Sequence, residues 1–171
     1  MATLKSDFIK TISERGYIHQ CTDLEVLDLH CKTKLISAYI GFDPTSDSLH
    51  IGSLVPILLL AHFQKYGHKP IALIGGATGM IGDPSGKSSE RVLLDERTLR
   101  NNELSIKNQL SKFLSFDSNK SNKAEILNNY DWMKNITFID FIRDIGKHIT
   151  VNYMMSKESV KNRISSESGA G

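Results

Sequence analysis

The sequence predicts an α/β fold organised around a doubly wound parallel sheet. Three features predict it: two short apolar runs bounded by turn residues, a helical stretch between them, and a glycine-dense loop directly after the second run. Strand, crossover helix and strand within roughly forty residues make a right-handed parallel βαβ unit, the repeating block of such sheets.

The elements follow in order. Phe8, Ile9, Ile12 and Ile18 have roughly helical spacing that ends near Gly16, and Thr22 or Asp23 stands where a second short helix would be capped. Residues 1–34 are thus an amino-terminal helical segment, and 35–171 carry the sheet. Leu35 to Phe42 is mostly apolar and aromatic, bounded by Lys34 and by Asp43-Pro44, and reads as a buried strand. A helix runs from about Ser48 or His50 to Tyr66, with Pro56 tolerated only near its first turns and Gly67 as its stop. Pro70 to Gly75 is the second strand. Leu94 to Phe116 is polar and helical, with Leu99, Leu104, Ile106, Leu110, Phe113 and Leu114 as its apolar positions. Lys120 to Lys123 forms a loop, Ala124 to Leu127 a third short strand, and Phe138 to Ile149 and Lys157 to Ile164 further helices. The tail from Ser165 to Gly171 is small and polar and reads as cut, not as a compact ending.

Several classes of function are disfavoured by composition. A formal charge of +2 is too mild to argue for nucleic acid on charge alone, because phosphate-tracking domains carry a clustered basic face. Cys21 and Cys31 lack the close spacing of zinc or redox sites and read as free thiols of a cytoplasmic protein. The histidines at 19, 30, 50, 62, 68 and 148 form no metal-ligand pattern, so no protein-held metal is expected. The longest apolar run, Leu54 to Ala61, is interrupted by Pro56 and falls well short of the roughly 20 residues of a membrane span.

Two segments carry chemistry. Tyr39 to Ser53 places hydroxyl and imidazole groups where a strand gives way to a helix, a position whose unpaired N–H groups favour phosphates. Thr45 and His50 would add donors, and Gly52, lacking a Cβ, would admit a base or ribose. The plainer reading makes Thr45, Ser46, Asp47 and Ser48 a turn and helix cap, and His50 a surface residue. The second segment, Gly75 to Lys87, lies past the end of the next parallel strand, where open sheets bind ligands. Tyr39 and Asp83 should border one crevice, and a phenol beside a carboxylate suits a small zwitterion. Its plainer reading is a long turn whose dihedrals demand glycine. A phosphate-binding P-loop ATPase fits poorly, since its first glycine falls on Ile81 and Pro84 removes an N–H from the cradle. The dinucleotide glycine pattern also fails.

At these segments the chain resembles tyrosyl-tRNA synthetase of bacterial type, a class I aminoacyl-tRNA synthetase, from about residue 5 to 164. The stretch from Gly41 through His50 looks like the approach to the class signature His-Ile-Gly-His, here Pro44, Thr45, Ser46, Asp47, Ser48, Leu49, His50, Ile51, Gly52, Ser53. Gly67 to Ser85 is similar to the family's tyrosine-binding loop, and Asn128 to Trp132 and Asp144 to Met155 match further family segments.

The resemblance implies the first part of a Rossmann-like catalytic domain, with tyrosine, ATP and its Mg2+ as substrates, tRNA(Tyr) as acceptor, and a homodimer. It implies that Tyr39 meets the substrate phenol and that Thr78 and Asp83 hold the ammonium. Gly41, Asp43, His50, Gly52 and Ser53 would line the ATP site, with Thr45 and His50 at the phosphates. Lys87 and Arg91 would belong to a mobile basic loop. One departure is Ser53, where the signature has its final histidine. The resemblance further implies segments past residue 164, among them a lysine-rich clamp for the triphosphate and a tRNA-binding part. Weak or absent adenylation by the 171 residues alone is therefore expected. A non-catalytic tyrosine- or nucleotide-binding module and the P-loop ATPase are the alternative readings.

Overall fold

In the computed structural model, which describes residues 4–81, 94–117 and 119–164, three parallel strands form one sheet in the order β1-β2-β3. They are β1 (Ser37–Phe42), β2 (Lys69–Ile74) and β3 (Glu125–Asn128). In register, Phe42 lies beside Ile74 and Ile74 beside Asn128, so the carboxyl ends of all three strands align.

Helices α1 (Asp7–Glu14) and α2 (Leu24–Thr33) precede the sheet. Ser6 caps α1 by accepting from the Ile9 N–H, and Asp23 caps α2 by accepting from the Val26 N–H, which settles the choice between Thr22 and Asp23. The two helices are tied by buried Asp28, whose carboxylate oxygens accept the Lys5 and Ser6 N–H groups at 2.8 Å each. Both pack on α3 (Leu54–Lys65), where Phe8, Ile9, Ile12 and Cys31 meet Phe63.

The helix between β1 and β2 opens with one 3-10 turn, Ile51–Ser53, before α3 proper. Pro56 is the third residue of α3, a position with no intrahelical N–H bond to lose. At the other end Gly67, with φ of 90°, terminates the helix in the left-handed conformation that glycine adopts without strain.

Past β2 come α4 (Gly76–Ile81) and α5 (Glu96–Leu110), the latter capped by Asp95 on the Thr98 N–H. The glycine-dense stretch reads from sequence as a ligand-binding loop, with a long turn as its plainer alternative, and its described part folds as a short helix packed against α5. Residues Leu99, Asn102, Ile106 and Leu110 of α5 are buried at helical spacing. With Ile57 and Leu60 of α3 and with Phe42, Ala72 and Ile74 of the sheet, Ile106 and Leu110 form the main core. Both crossover helices therefore cover one face of the sheet, as stepping in one direction with a single handedness requires. The opposite face carries Tyr39, Gly41 and Leu127, all exposed.

After β3 follow α6 (Tyr130–Met133), α7 (Phe138–Asp144), a 3-10 turn Gly146–His148, α8 (Val151–Ser156) and α9 (Glu158–Ile164). The predicted helix from Phe138 to Ile149 breaks at Ile145. Helix α8 was not anticipated; Thr150 starts it by accepting from the Tyr153 N–H.

Candidate functional site

The loops that leave β2 and β3 are each anchored to the end of the neighbouring strand. Gly75 N–H donates to the Phe42 carbonyl at 3.0 Å, and Asn129 N–H donates to the Ile74 carbonyl at 3.0 Å, so each loop starts on its neighbour strand. A Cβ placed on Gly75 would stand 2.6 Å from Thr78 Oγ1 and 3.4 Å from Asp43 Oδ1. Thr78 and Asp43, predicted for different substrates, thus flank one glycine.

Thr78 is held by its own loop, its hydroxyl donating to the Gly75 carbonyl at 3.0 Å. The start of α4 rests on two asparagines. Asn129 Oδ1 accepts the Ala77 N–H at 2.7 Å, while the buried Asn128 amide lies so close under Gly76 that any Cβ there would overlap it. Asn128 in turn donates to Glu103 Oε2 at 2.7 Å and accepts the Tyr130 N–H at 2.9 Å. Arg100 bonds both Glu103 and Asp131, at 3.0 and 2.7 Å, and lies over the Tyr130 ring. The Asp131 bond first, then the Glu103 bond, raises the Arg100 pKa, so the guanidinium keeps its charge in this network.

In the loop after β1, Pro44 is fully buried while Thr45, Ser46, Asp47 and Ser48 are exposed. The helix cap does not come from these four residues. It is His50, whose Nδ1 accepts the Gly52 N–H at 3.0 Å at the head of the 3-10 turn. A neutral imidazole that accepts at Nδ1 carries its proton on Nε2, a donor for an anion at the head of α3. Gly52 lies directly beside that ring: a Cβ there would approach His50 Cε1 to 2.6 Å. Ser53 precedes α3 in helical conformation with no capping bond from its side chain.

Tyr39 and Gly41 stand apart from this cluster. They are two residues apart on β1 and so share the open sheet face, with Tyr39 67% exposed and open space around Gly41. Asp83, Lys87 and Arg91 lie outside the described residues, so the expected crevice between Tyr39 and Asp83 is not described either. Among the described residues no group of three or more His, Cys, Asp or Glu side chains is placed to hold a metal ion.

Residues that motif reading passed over are the polar ones on α5. Asn102 Nδ2 donates to the Pro44 carbonyl at 2.8 Å, and Gln109 Oε1 accepts the Leu49 N–H at 3.0 Å. A signal did exist, because Asn102 interrupts the apolar stripe formed by Leu99, Ile106 and Leu110.

Comparison with known proteins bears on the same region. The family described as tRNA synthetases class I (W and Y) matches residues 32–170. A tyrosine–tRNA ligase of Porphyromonas gingivalis is 61% identical over 165 residues, which cover 96% of this chain and 38% of that protein. One from Flavobacterium psychrophilum is 68% identical over 131 residues, 77% of this chain and 30% of that protein. Among solved structures, a C-terminally truncated mitochondrial tyrosyl-tRNA synthetase of Aspergillus nidulans superposes with a TM-score of 0.76 at 28% identity, over 92% of this chain and 47% of that one. The chain thus spans less than half the length of these relatives.

Proposed function

The chain belongs to the class I tRNA synthetases (W and Y), and from that premise we propose that the whole protein is a tyrosine–tRNA ligase. Tyrosine's carboxylate attacks the α-phosphorus of Mg-ATP, giving tyrosyl-adenylate and pyrophosphate, and the tyrosyl group then passes to the 3′ end of tRNA(Tyr). The observation that carries this reading is the juxtaposition of the His50 loop and the Thr78 loop through Asp43 and Gly75 at the aligned strand ends.

No protein nucleophile is needed. The chain's own residues bind and orient, and they stabilise charge that develops on the phosphates. His50 offers its Nε2 proton to a phosphate oxygen, with Thr45 in the preceding loop as a second donor. Gly41, Asp43, Gly52 and Ser53 line the nucleotide. Thr78 and Asp83 take the substrate ammonium, Tyr39 the phenol, and Lys87 and Arg91 assist as pyrophosphate leaves. Serine at 53 offers only a short hydroxyl where the class signature has an imidazole. Rejection of phenylalanine would follow from leaving the polar partner of the phenol unpaired once bound substrate covers it. The ligase would work in the cytoplasm as a homodimer. Among the described residues no helix is long and apolar enough to cross a membrane.

Tyrosine-dependent exchange of labelled pyrophosphate into ATP tests the reading. Exchange that requires tyrosine, and that falls about a hundredfold in His50→Ala, is the expected result. ATP turnover without tyrosine would replace it with a hydrolase.

A further inference from the structure

We infer that Asn102 and Gln109 of α5 are positioning residues for the ATP end of the site, an inference that rests on the ligase reading above. The two are seven residues apart, two turns of one helix, so they project from the same side of α5. Between them they hold both ends of one loop segment: Asn102 donates to the Pro44 carbonyl, and Gln109 accepts from the Leu49 N–H. That segment carries Thr45 and delivers the chain to His50, the next residue.

Among the described residues, little else holds the loop between Pro44 and Leu49. Thr45 to Ser48 are exposed, and the hydrogen bond between Ser46 and Asp47, at 3.4 Å, is long and local. Its firm points are Pro44, fully buried, and half-buried Leu49, which packs on the main core. A buried carbonyl such as that of Pro44 needs a donor, and an amide side chain from a core helix supplies one whose own position is set by packing.

Helix α5 also reaches the other loops. Leu99 would lie 3.2 Å from a Cβ on Gly79, with Pro44 at 3.7 Å, and Glu103 takes the Asn128 amide beneath Gly76. The separate attachments allow separate effects: Asn102 and Gln109 act on the loop after β1, whereas Glu103 and Asn128 act on the loop after β2. Loss of the first pair should change how ATP is used and leave tyrosine binding alone.

The test is pyrophosphate exchange by the full-length protein, with ATP and tyrosine titrated separately and melting temperature measured beside them. Asn102→Ala and Gln109→Ala are expected to raise KM for ATP and lower kcat, reducing kcat/KM for ATP by about tenfold or more. KM for tyrosine should stay within about twofold, and Gln109→Glu, which keeps an acceptor for the Leu49 N–H, should recover most of the loss. A lower melting temperature with both KM values unchanged would make the two residues ordinary structural supports and overturn the inference, as would a parallel rise in both KM values. Should Asn102→Ala not fold, the Gln109→Ala and Gln109→Glu pair decides alone. Failure of the unsubstituted protein to exchange would defeat the ligase reading, and this inference with it, whatever the variants do.

Discussion

Individual side chains in this chain are tuned by what surrounds them more than by their type. His68 is buried with its ring 4.7 Å from that of Phe63 and 6.0 Å from that of Phe8, and its Nδ1 has no hydrogen-bond partner among the described residues. Burial lowers its pKa below the ordinary 6.5, because a charged imidazole would lose its hydration without gaining a partner. The unfolded chain takes up a proton near pH 6.5 and the folded chain resists it, so this site leaves stability intact above that pH and erodes it as the pH falls. His62 is shifted the same way, by burial first and then by Arg15 and Lys65. Urea midpoints at pH about 7.5 and about 5.5 should therefore differ in the native sequence, and His68→Leu should shrink the difference without abolishing it. Cys31 illustrates the same effect in an acid: burial, reinforced by the Asp28 charge, pushes its thiol up to about 11, so it is a packing group and not a nucleophile.

At the scale of elements, the helices are joined to their surroundings by side-chain amides. Gln64 near the end of α3 donates to the Ser115 and Asn122 carbonyls at 2.7 and 3.0 Å and accepts the Ser115 N–H at 2.8 Å, while Asn122 donates back to the Gln64 carbonyl. Four bonds thus fasten the turn after α5 to the helix before β2, closing the crossover that leads into β3. Gln64→Ala removes three of them and leaves half-buried backbone groups without partners. A loss of about 1–3 kcal/mol in unfolding free energy is expected, read from denaturant midpoints at constant slope. Asn102 and Gln109 of α5 use the same chemistry toward the loop after β1, where the effect proposed above is on the use of ATP.

The molecule as a whole carries more apolar surface than a three-stranded sheet can cover. In the segment after β3, Phe138 is 79% exposed, Ile139 72% and Val151 67%, and on the sheet itself Tyr39 and Leu127 are open. Exposed apolar area of this kind marks surfaces that associate. The 171 residues studied as such should bind a hydrophobic dye and sediment with concentration-dependent mass. Paired substitution of Phe138 and Ile139 by serine should weaken both signals with little change in melting temperature, since neither side chain contributes to either core cluster.

What the sequence determined by itself was whatever depends on local pattern. The apolar runs that became β1 and β2 lay within two residues of their final bounds, because a continuous apolar run and its flanking turn residues are local properties. A cap at Thr22 or Asp23 was readable for the same reason, and the structure chose Asp23. The role of Thr78 came from the family resemblance alone, whereas Tyr39, Thr45 and His50 also stood out by their place at a strand end or a helix start. Tertiary structure decided what those groups stand beside: that Asp43 and Thr78 flank Gly75, that His50 and not a serine caps the turn before α3, and that α5 holds the loop between Pro44 and Leu49. The first and last of these join residues whose proximity exists only after the strands pair in register and the crossover helices pack on one face, whereas the His50 cap is a local bond to Gly52 that the fold of the loop selects. The spacing of residues along one chain cannot encode a bond whose partner lies about sixty positions away, as Asn102 lies from Pro44.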